Sequence, residues 1–141
     1  MEQKQCACPP FFFDKRDDGN WRVPWLQDLS IALKERHDVD GFSGWSQKNG
    51  TPHAQPPASA RRQMLTLRIH LDDCGEENGA LRVLPGTHLD GRLSAADIQK
   101  KKQEIGEHMC TSPRGGMLWM NPMLLHASSS LNQALIEEFY I

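Results

Sequence analysis

The sequence predicts a mainly β protein, an antiparallel sandwich or jelly roll with one short helix, in a single domain of residues 1–141. Three observations lead there. Short runs in which apolar and polar residues alternate recur between Gly, Pro, Asn and Asp turn signals. Only one segment has helix boundaries with a chemical reason behind them. The regular alternation of strand and helix that builds a parallel sheet is missing.

Each element follows from local chemistry. Phe11-Phe12-Phe13 is apolar enough for an edge strand. From Trp25 to Leu33, Gln27, Leu29, Ile31 and Leu33 share one strand face, and Leu26, Asp28, Ser30 and Ala32 share the other. Residues 40–60 are rich in Gly, Pro, Ser and Asn and contain Trp45, His53 and Pro56-Pro57, which predicts a long functional loop. The strongest strand runs from Met64 to Asp72, where Leu65, Leu67, Ile69 and Leu71 alternate with Thr66, Arg68 and His70, the polar set on the wetter face. Asp73 to Gly79 is a polar turn, Ala80 to Leu84 a strand, and Pro85-Gly86-Thr87-His88 a sharp corner held by His88. The helix has Ser94 as N-cap, Asp97 at N3, Leu93 poised to staple against Ile98, and Gly106 as its stop. Met117 to Met120, Met123 to Ser128 and Ala134 to Tyr140 complete the strands, with Asn121-Pro122 as a breaker.

Composition narrows the function. The chain has 141 residues, 38% of them apolar and 24% charged, as expected of a globular domain. A domain of this length buries roughly 68–70% of its unfolded surface, so a core forms without disulfide staples. Sixteen Lys and Arg against 18 Asp and Glu leave a net charge of -2 and no broad basic footprint for nucleic acid. No apolar run is long enough to span a membrane, and the N-terminal residues lack the apolar stretch of a signal peptide, so a cytoplasmic protein is expected. Cys6, Cys8, Cys74 and Cys110 do not have zinc-site spacing and are expected to be free thiols. Oligomeric state leaves no signature in the sequence.

Two constellations carry chemistry. His70-x-Asp72 aims two metal-binding side chains at one strand face, and His126 on a later apolar strand could join them. The ordinary alternative is a strand ending in two aspartates with His70 on its wet face. His37, His53 and His88 lie in or near turns, and His53 sits in the segment best able to approach a site.

The second constellation rests on a resemblance. The segments Asn20-Trp21-Arg22-Val23-Pro24-Trp25-Leu26-Gln27-Asp28, Leu67-Arg68-Ile69-His70-Leu71-Asp72-Asp73, Asn78-Gly79-Ala80-Leu81-Arg82-Val83-Leu84-Pro85-Gly86-Thr87-His88 and Leu125-His126-Ala127-Ser128-Ser129 occur in the order of the phytanoyl-CoA dioxygenase family. The chain resembles that family over about residues 11 to 141. The resemblance implies a double-stranded β-helix, Fe(II) and 2-oxoglutarate, and hydroxylation of a small organic substrate coupled to decarboxylation. It places Asp28 in the carboxylate position of the metal site and His126 in the distal His position. It also places Gln27, Trp45 and Ser128 around the co-substrate.

At two positions the chain departs from the family pattern. Leu26 stands where the family has its first metal-binding His, and Gln133 falls where an Arg clamps the 2-oxoglutarate carboxylate. A side chain without a lone pair binds no metal, and a neutral amide lacks the bidentate charge-assisted contact of a guanidinium. Only 25 residues precede Leu26, which implies a fold lacking its N-terminal part. Two outcomes follow: a weak or inactive oxygenase, or a metal-free jelly roll kept as a binding module or left as a degraded gene product.

Overall fold

The computed structural model describes residues 11–15, 19–130 and 135–140, with Phe11, Asp14 and residues 135–140 described through their backbone alone. In chain order the elements are β1 (Phe11–Lys15), β2 (Val23–Leu26), β3 (Ile31–Ala32), β4 (Ser43–Lys48), β5 (Thr51–Gln55), α1 (Ala58–Gln63) and β6 (Thr66–His70). There follow β7 (Leu81–Val83), α2 (Ala95–Glu104), β8 (His108–Cys110), β9 (Met117–Met120), β10 (His126–Ser128) and β11 (Leu135–Tyr140).

Two four-stranded sheets, ordered β1-β11-β6-β9 and β2-β10-β7-β8, make a jelly-roll-like fold, and β3-β5-β4 forms a smaller third sheet. All their strand pairs are antiparallel. Neighbours in the two large sheets are distant in sequence, so the predicted strands find partners that periodicity alone could not name. The core gathers Leu81, Val83 and Met120, with Cys110, Leu118 and Leu124 packed against them. Leu84 and Leu125 are fully buried where β7 and β10 run past each other.

Helix α2 forms as its caps predict. Ser94 Oγ accepts from the Asp97 N–H at 3.2 Å, and Asp97 Oδ2 accepts from the Ser94 N–H at 3.0 Å, a complete capping box. The corner before it differs in detail from expectation. Thr87, not His88, holds it: the buried hydroxyl donates to Leu84 O at 2.8 Å and accepts from the Leu125 N–H at 3.0 Å. Gly86 enters that corner at φ 85°, a conformation that L side chains rarely adopt.

Three further expectations are corrected. The strand beginning near Trp25 ends at Leu26, because the Gln27 side chain and the Asp28 backbone turn to other partners. Residues 40–60 are not a long loop but mainly the β4–β5 hairpin and the start of α1. Asn49 and Gly50, at φ 47° and 79°, make the tight turn that an Asn-Gly pair favours. Strand β6 is inverted relative to its pattern. Thr66, Arg68 and His70 point inward at 5%, 2% and 1% exposure, while Leu65 is 59% exposed. On the adjacent β9, Met117 and Trp119 also face outward.

Candidate functional site

The inverted face of β6 borders a cavity of about 340 Å³ between the two large sheets. Strand β10 supplies His126 and Ser128, which share a face because they are two residues apart. Strand β2 supplies Leu26, whose Cα pairs with that of His126, and the segment after it supplies Asp28. The Asp28 N–H donates to Pro122 O at 2.9 Å, tying this segment to the turn that precedes β10.

His126 is held in one orientation. Its Nδ1 lies 2.8 Å from Leu124 O, and since a carbonyl only accepts, Nδ1 is the donor. Nε2 is thereby turned toward Asp28, with Oδ2 at 3.5 Å. An imidazole nitrogen beside a carboxylate, with the far ring nitrogen bonded to a backbone carbonyl, is the donor arrangement used to hold a divalent metal. Facial non-haem iron sites take two His and one carboxylate. Here the third side chain is Leu26, which contributes only an alkyl wall. Among the described residues, no three His, Cys, Asp or Glu side chains converge as a metal-binding group. The donor set therefore fits iron at two protein positions and leaves one without a donor.

The other predicted residues divide. Ser128 lines the cavity, and its Oγ accepts from Lys15 Nζ at 2.9 Å. Gln27 is elsewhere: its amide donates to Gly91 O and Met123 O, both at 2.8 Å, and accepts from the Leu93 N–H at 2.9 Å, pinning the α2 entry to the turn before β10. Trp45 is also outside the cavity lining, stacked on Phe42 at 6.4 Å with the Arg36 guanidinium 5.0 Å from its ring centre. His70 and Asp72 do not line the cavity with His126, and among the described residues they form no metal-binding group with it. Both ring nitrogens of His70 are buried without a hydrogen-bond partner, and burial, then the neighbouring Arg68 charge, lowers its pKa to about 4. His53 lines the cavity, with Nδ1 donating to Thr51 O at 3.0 Å, whereas His37 pairs with Glu35 on the surface. Gln133, Cys6 and Cys8 lie outside the described residues. Cys74 is buried and Cys110 half-buried.

Sequence reasoning missed the cavity's cations. Lys15, 5% exposed, donates to Ser128 Oγ and to Ser129 O at 2.8 Å. Burial, reinforced by the Arg68 charge, pushes its pKa below the ordinary lysine value. Arg68 is pulled down to about 10, chiefly by burial, and remains charged at neutral pH. The available signal was an Arg inside the best strand pattern, which resembles any solvent-facing polar position until the sheet's inner side is known.

The sequence profile of the phytanoyl-CoA dioxygenase (PhyH) family matches residues 3–133. The chain belongs to the phytanoyl-CoA dioxygenase family. Among curated protein sequences none matches it significantly. Solved structures share its fold. EctD from S. alaskensis with 2-oxoglutarate and 5-hydroxyectoine is 16% identical with a TM-score of 0.67, covering 96% of this chain and 43% of EctD. SnoK, a non-heme alpha-ketoglutarate-dependent carbocyclase from nogalamycin biosynthesis, is 13% identical with a TM-score of 0.64, covering 95% and 47%. AviO1 from Streptomyces viridochromogenes Tue57 is 20% identical with a TM-score of 0.57, covering 96% and 51%. The chain thus spans about half the length of these proteins or less. Among the described residues no helix is long and apolar enough to cross a membrane.

Proposed function

We propose that this phytanoyl-CoA dioxygenase family domain binds 2-oxoglutarate and a weakly held Fe(II) in the cavity between its sheets, and oxidises a small organic substrate slowly or not at all. The observation that carries this reading is the His126–Asp28 pair at the cavity wall, facing Leu26 across the β2–β10 ladder. Asp28 and His126 would hold the ion, and bound iron would supply the oxygen activation that no amino-acid side chain provides. The chain's own part is positional. Leu124 O fixes the His126 ring, Pro122 O fixes the Asp28 backbone, and Leu26 and Ala32 present apolar surface beside them.

The missing donor decides between turnover and binding. Loss of a supporting partner around a metal ligand costs roughly 10- to 100-fold in affinity, and loss of a ligand itself costs at least as much. Leu26→His should therefore raise Fe(II) affinity at least about tenfold, because position 26 pairs directly with His126. Anaerobic titration with Fe(II) and 2-oxoglutarate measures this through the charge-transfer absorbance, and admission of O2 then tests for succinate release. Unchanged affinity in a folded Leu26→His protein rules out Asp28 and His126 as the iron pair. The second reading, a metal-free binding module, is favoured by Leu26 itself. It predicts dicarboxylate binding by the wild-type chain with no added absorbance from Fe(II).

A further inference from the structure

We infer that the open edge of β9 is a self-association surface, where two copies of this chain pair β9 with β9 antiparallel about a two-fold axis, Met117 of each opposite Trp119 of the other, in a weak dimer.

The edge itself is the first support. Strand β9 ends its sheet, and among the described residues no strand pairs with its far side. An open strand edge invites another chain, and proteins blunt it with charge, proline, bulges or brevity. Every other sheet edge among the described residues carries such a device. Strand β1 includes Asp14 and the inward Lys15, β2 includes Pro24, and β3 has only two residues. Strand β4 is irregular between Ser43 and Ser46 and ends on Lys48, and β8 has three residues beside the Glu107–Arg82 ion pair. Strand β9 reads Met-Leu-Trp-Met, with no charge, proline or bulge. Its outward Met117 and Trp119 are 63% and 61% exposed.

Backbone register is the second. The His70 N–H donates to Gly116 O at 3.0 Å, and the antiparallel ladder alternates from there. Leu118 and Met120, opposite Arg68 and Thr66, therefore turn their N–H and C=O groups to β6. Those of Met117 and Trp119 point out from the sheet's edge. Their spacing is self-complementary. A two-fold pairing centred on Leu118 lets Met117 of one copy and Trp119 of the other exchange both backbone bonds, and symmetry repeats the exchange. It also sets each Met117 thioether beside an indole, a favourable cross-strand contact.

Charge favours a second copy in that orientation. Asp72 and Asp73 follow β6 at the start of β9, where Asp73 Oδ1 accepts from the Arg114 N–H at 2.9 Å. Arg61 and Arg62 lie at the other end, where Asn121 Nδ2 donates to their carbonyls at 3.3 and 3.2 Å. One end thus holds two carboxylates and the Arg114 guanidinium, and the other holds two guanidiniums. The two-fold sets the net acidic end of each copy beside the basic end of its mate, whereas a parallel pairing would set like ends together. Pairing closes the edge, so assembly stops at two. A four-residue edge buries less than the roughly 1,200 Å² of stable complexes, so the association is weak. At the dilution of an unfolding experiment the copies are apart and Trp119 meets water.

Sedimentation equilibrium from about 1 μM to about 1 mM, the span in which weak associations lie, should show a reversible monomer–dimer equilibrium. Amide exchange followed by NMR reads the register. The Met117 and Trp119 N–H groups should gain protection as concentration rises, while those of Leu118 and Met120 are protected throughout. Met117→Pro removes only an outward N–H, and Trp119→Lys puts a charge on the edge. Each should raise the dimer dissociation constant at least about tenfold. If Met117→Pro fails to fold, as circular dichroism would show, Trp119→Lys decides. A chain that stays monomeric to about 1 mM overturns the inference, as it would if a different protein covers this edge. Growth beyond two copies overturns the closed pairing. A dimer whose Met117 and Trp119 amides exchange freely, or that survives in the folded variants, is held by another surface and overturns it too.

Discussion

Strands β7 and β6, one from each large sheet, turn opposite kinds of surface toward the same interior. In β2-β10-β7-β8 the inward residues include Leu81 and Val83, with Leu84 and Leu125 buried alongside, an ordinary apolar core. In β1-β11-β6-β9 the inward residues of β6 are Thr66, Arg68 and His70, and apolar Leu65, Met117 and Trp119 face out. Burying apolar surface drives folding, whereas burying polar groups opposes it unless they are paired. Strand β7 therefore supplies cohesion, while β6, with His126 and Ser128 of β10 across the cavity, holds polar groups against the cost of burying them.

The largest effect is expected in the first sheet's core. Leu125→Ala removes a fully buried side chain and should lower stability by about 2–5 kcal/mol in urea unfolding. A loss under about 1 kcal/mol would mean that the core tolerates collapse there and that the two sheets differ less than their burial suggests.

The second sheet should show its character through pH. His70 is held neutral, with its pKa depressed to about 4 from the ordinary 6.5. Its contribution is thus fully present above pH 6.5 and lost as pH falls, because the unfolded chain takes up the proton first. Below about pH 4 the folded form also binds it, and the loss levels off. The span corresponds to at most about 3 kcal/mol. Urea midpoints at pH 7.5, 5.5 and 4 should fall accordingly, and His70→Gln should flatten the decline between pH 6.5 and 4. An equally steep decline in that variant would assign the pH dependence to other groups.

This inversion marks how far the sequence was legible. The alternation of β6 was plain, but alternation says only that two faces differ and not which one is inside. The polar face was assigned to water because that is the common arrangement, and the cavity reverses it. Ser94 and Asp97 announced α2 correctly because a cap is a local contact between near neighbours. The β4–β5 hairpin was obscured by its Gly and Pro content, although Asn49-Gly50 carried the signal for the turn. At the site, the family resemblance named Asp28 and His126, which the structure places 3.5 Å apart. Gln27 and Trp45 show the limit of position-by-position transfer, since hydrogen bonds to the α2 entry and stacking on Phe42 hold them elsewhere. Lys15 could not be found from the sequence, because its contacts with Ser128 and Ser129 join the two ends of the chain.

A smaller effect of opposite sign would sharpen the contrast. Thr66 Oγ1 is buried with no hydrogen-bond partner, so Thr66→Val exchanges an unpaired hydroxyl for a methyl of similar shape. Such a change should be neutral or raise stability by about 1 kcal/mol, as thermal unfolding would show. A loss of more than about 1 kcal/mol would show that the hydroxyl serves the fold.

The smallest change belongs to the outward face of that second sheet. Trp119 is 61% exposed and pairs in register with Leu67, beside Met117 at 63% and Leu65 at 59%. A large apolar side chain left in water gives folding little of its transfer energy, so Trp119→Gln should change stability by no more than about 0.5 kcal/mol. The matched urea curves of the two proteins test this. A loss above about 2 kcal/mol would mean that the indole is covered in solution, and the second sheet would then bury apolar surface on its outer side to offset the polar burden within.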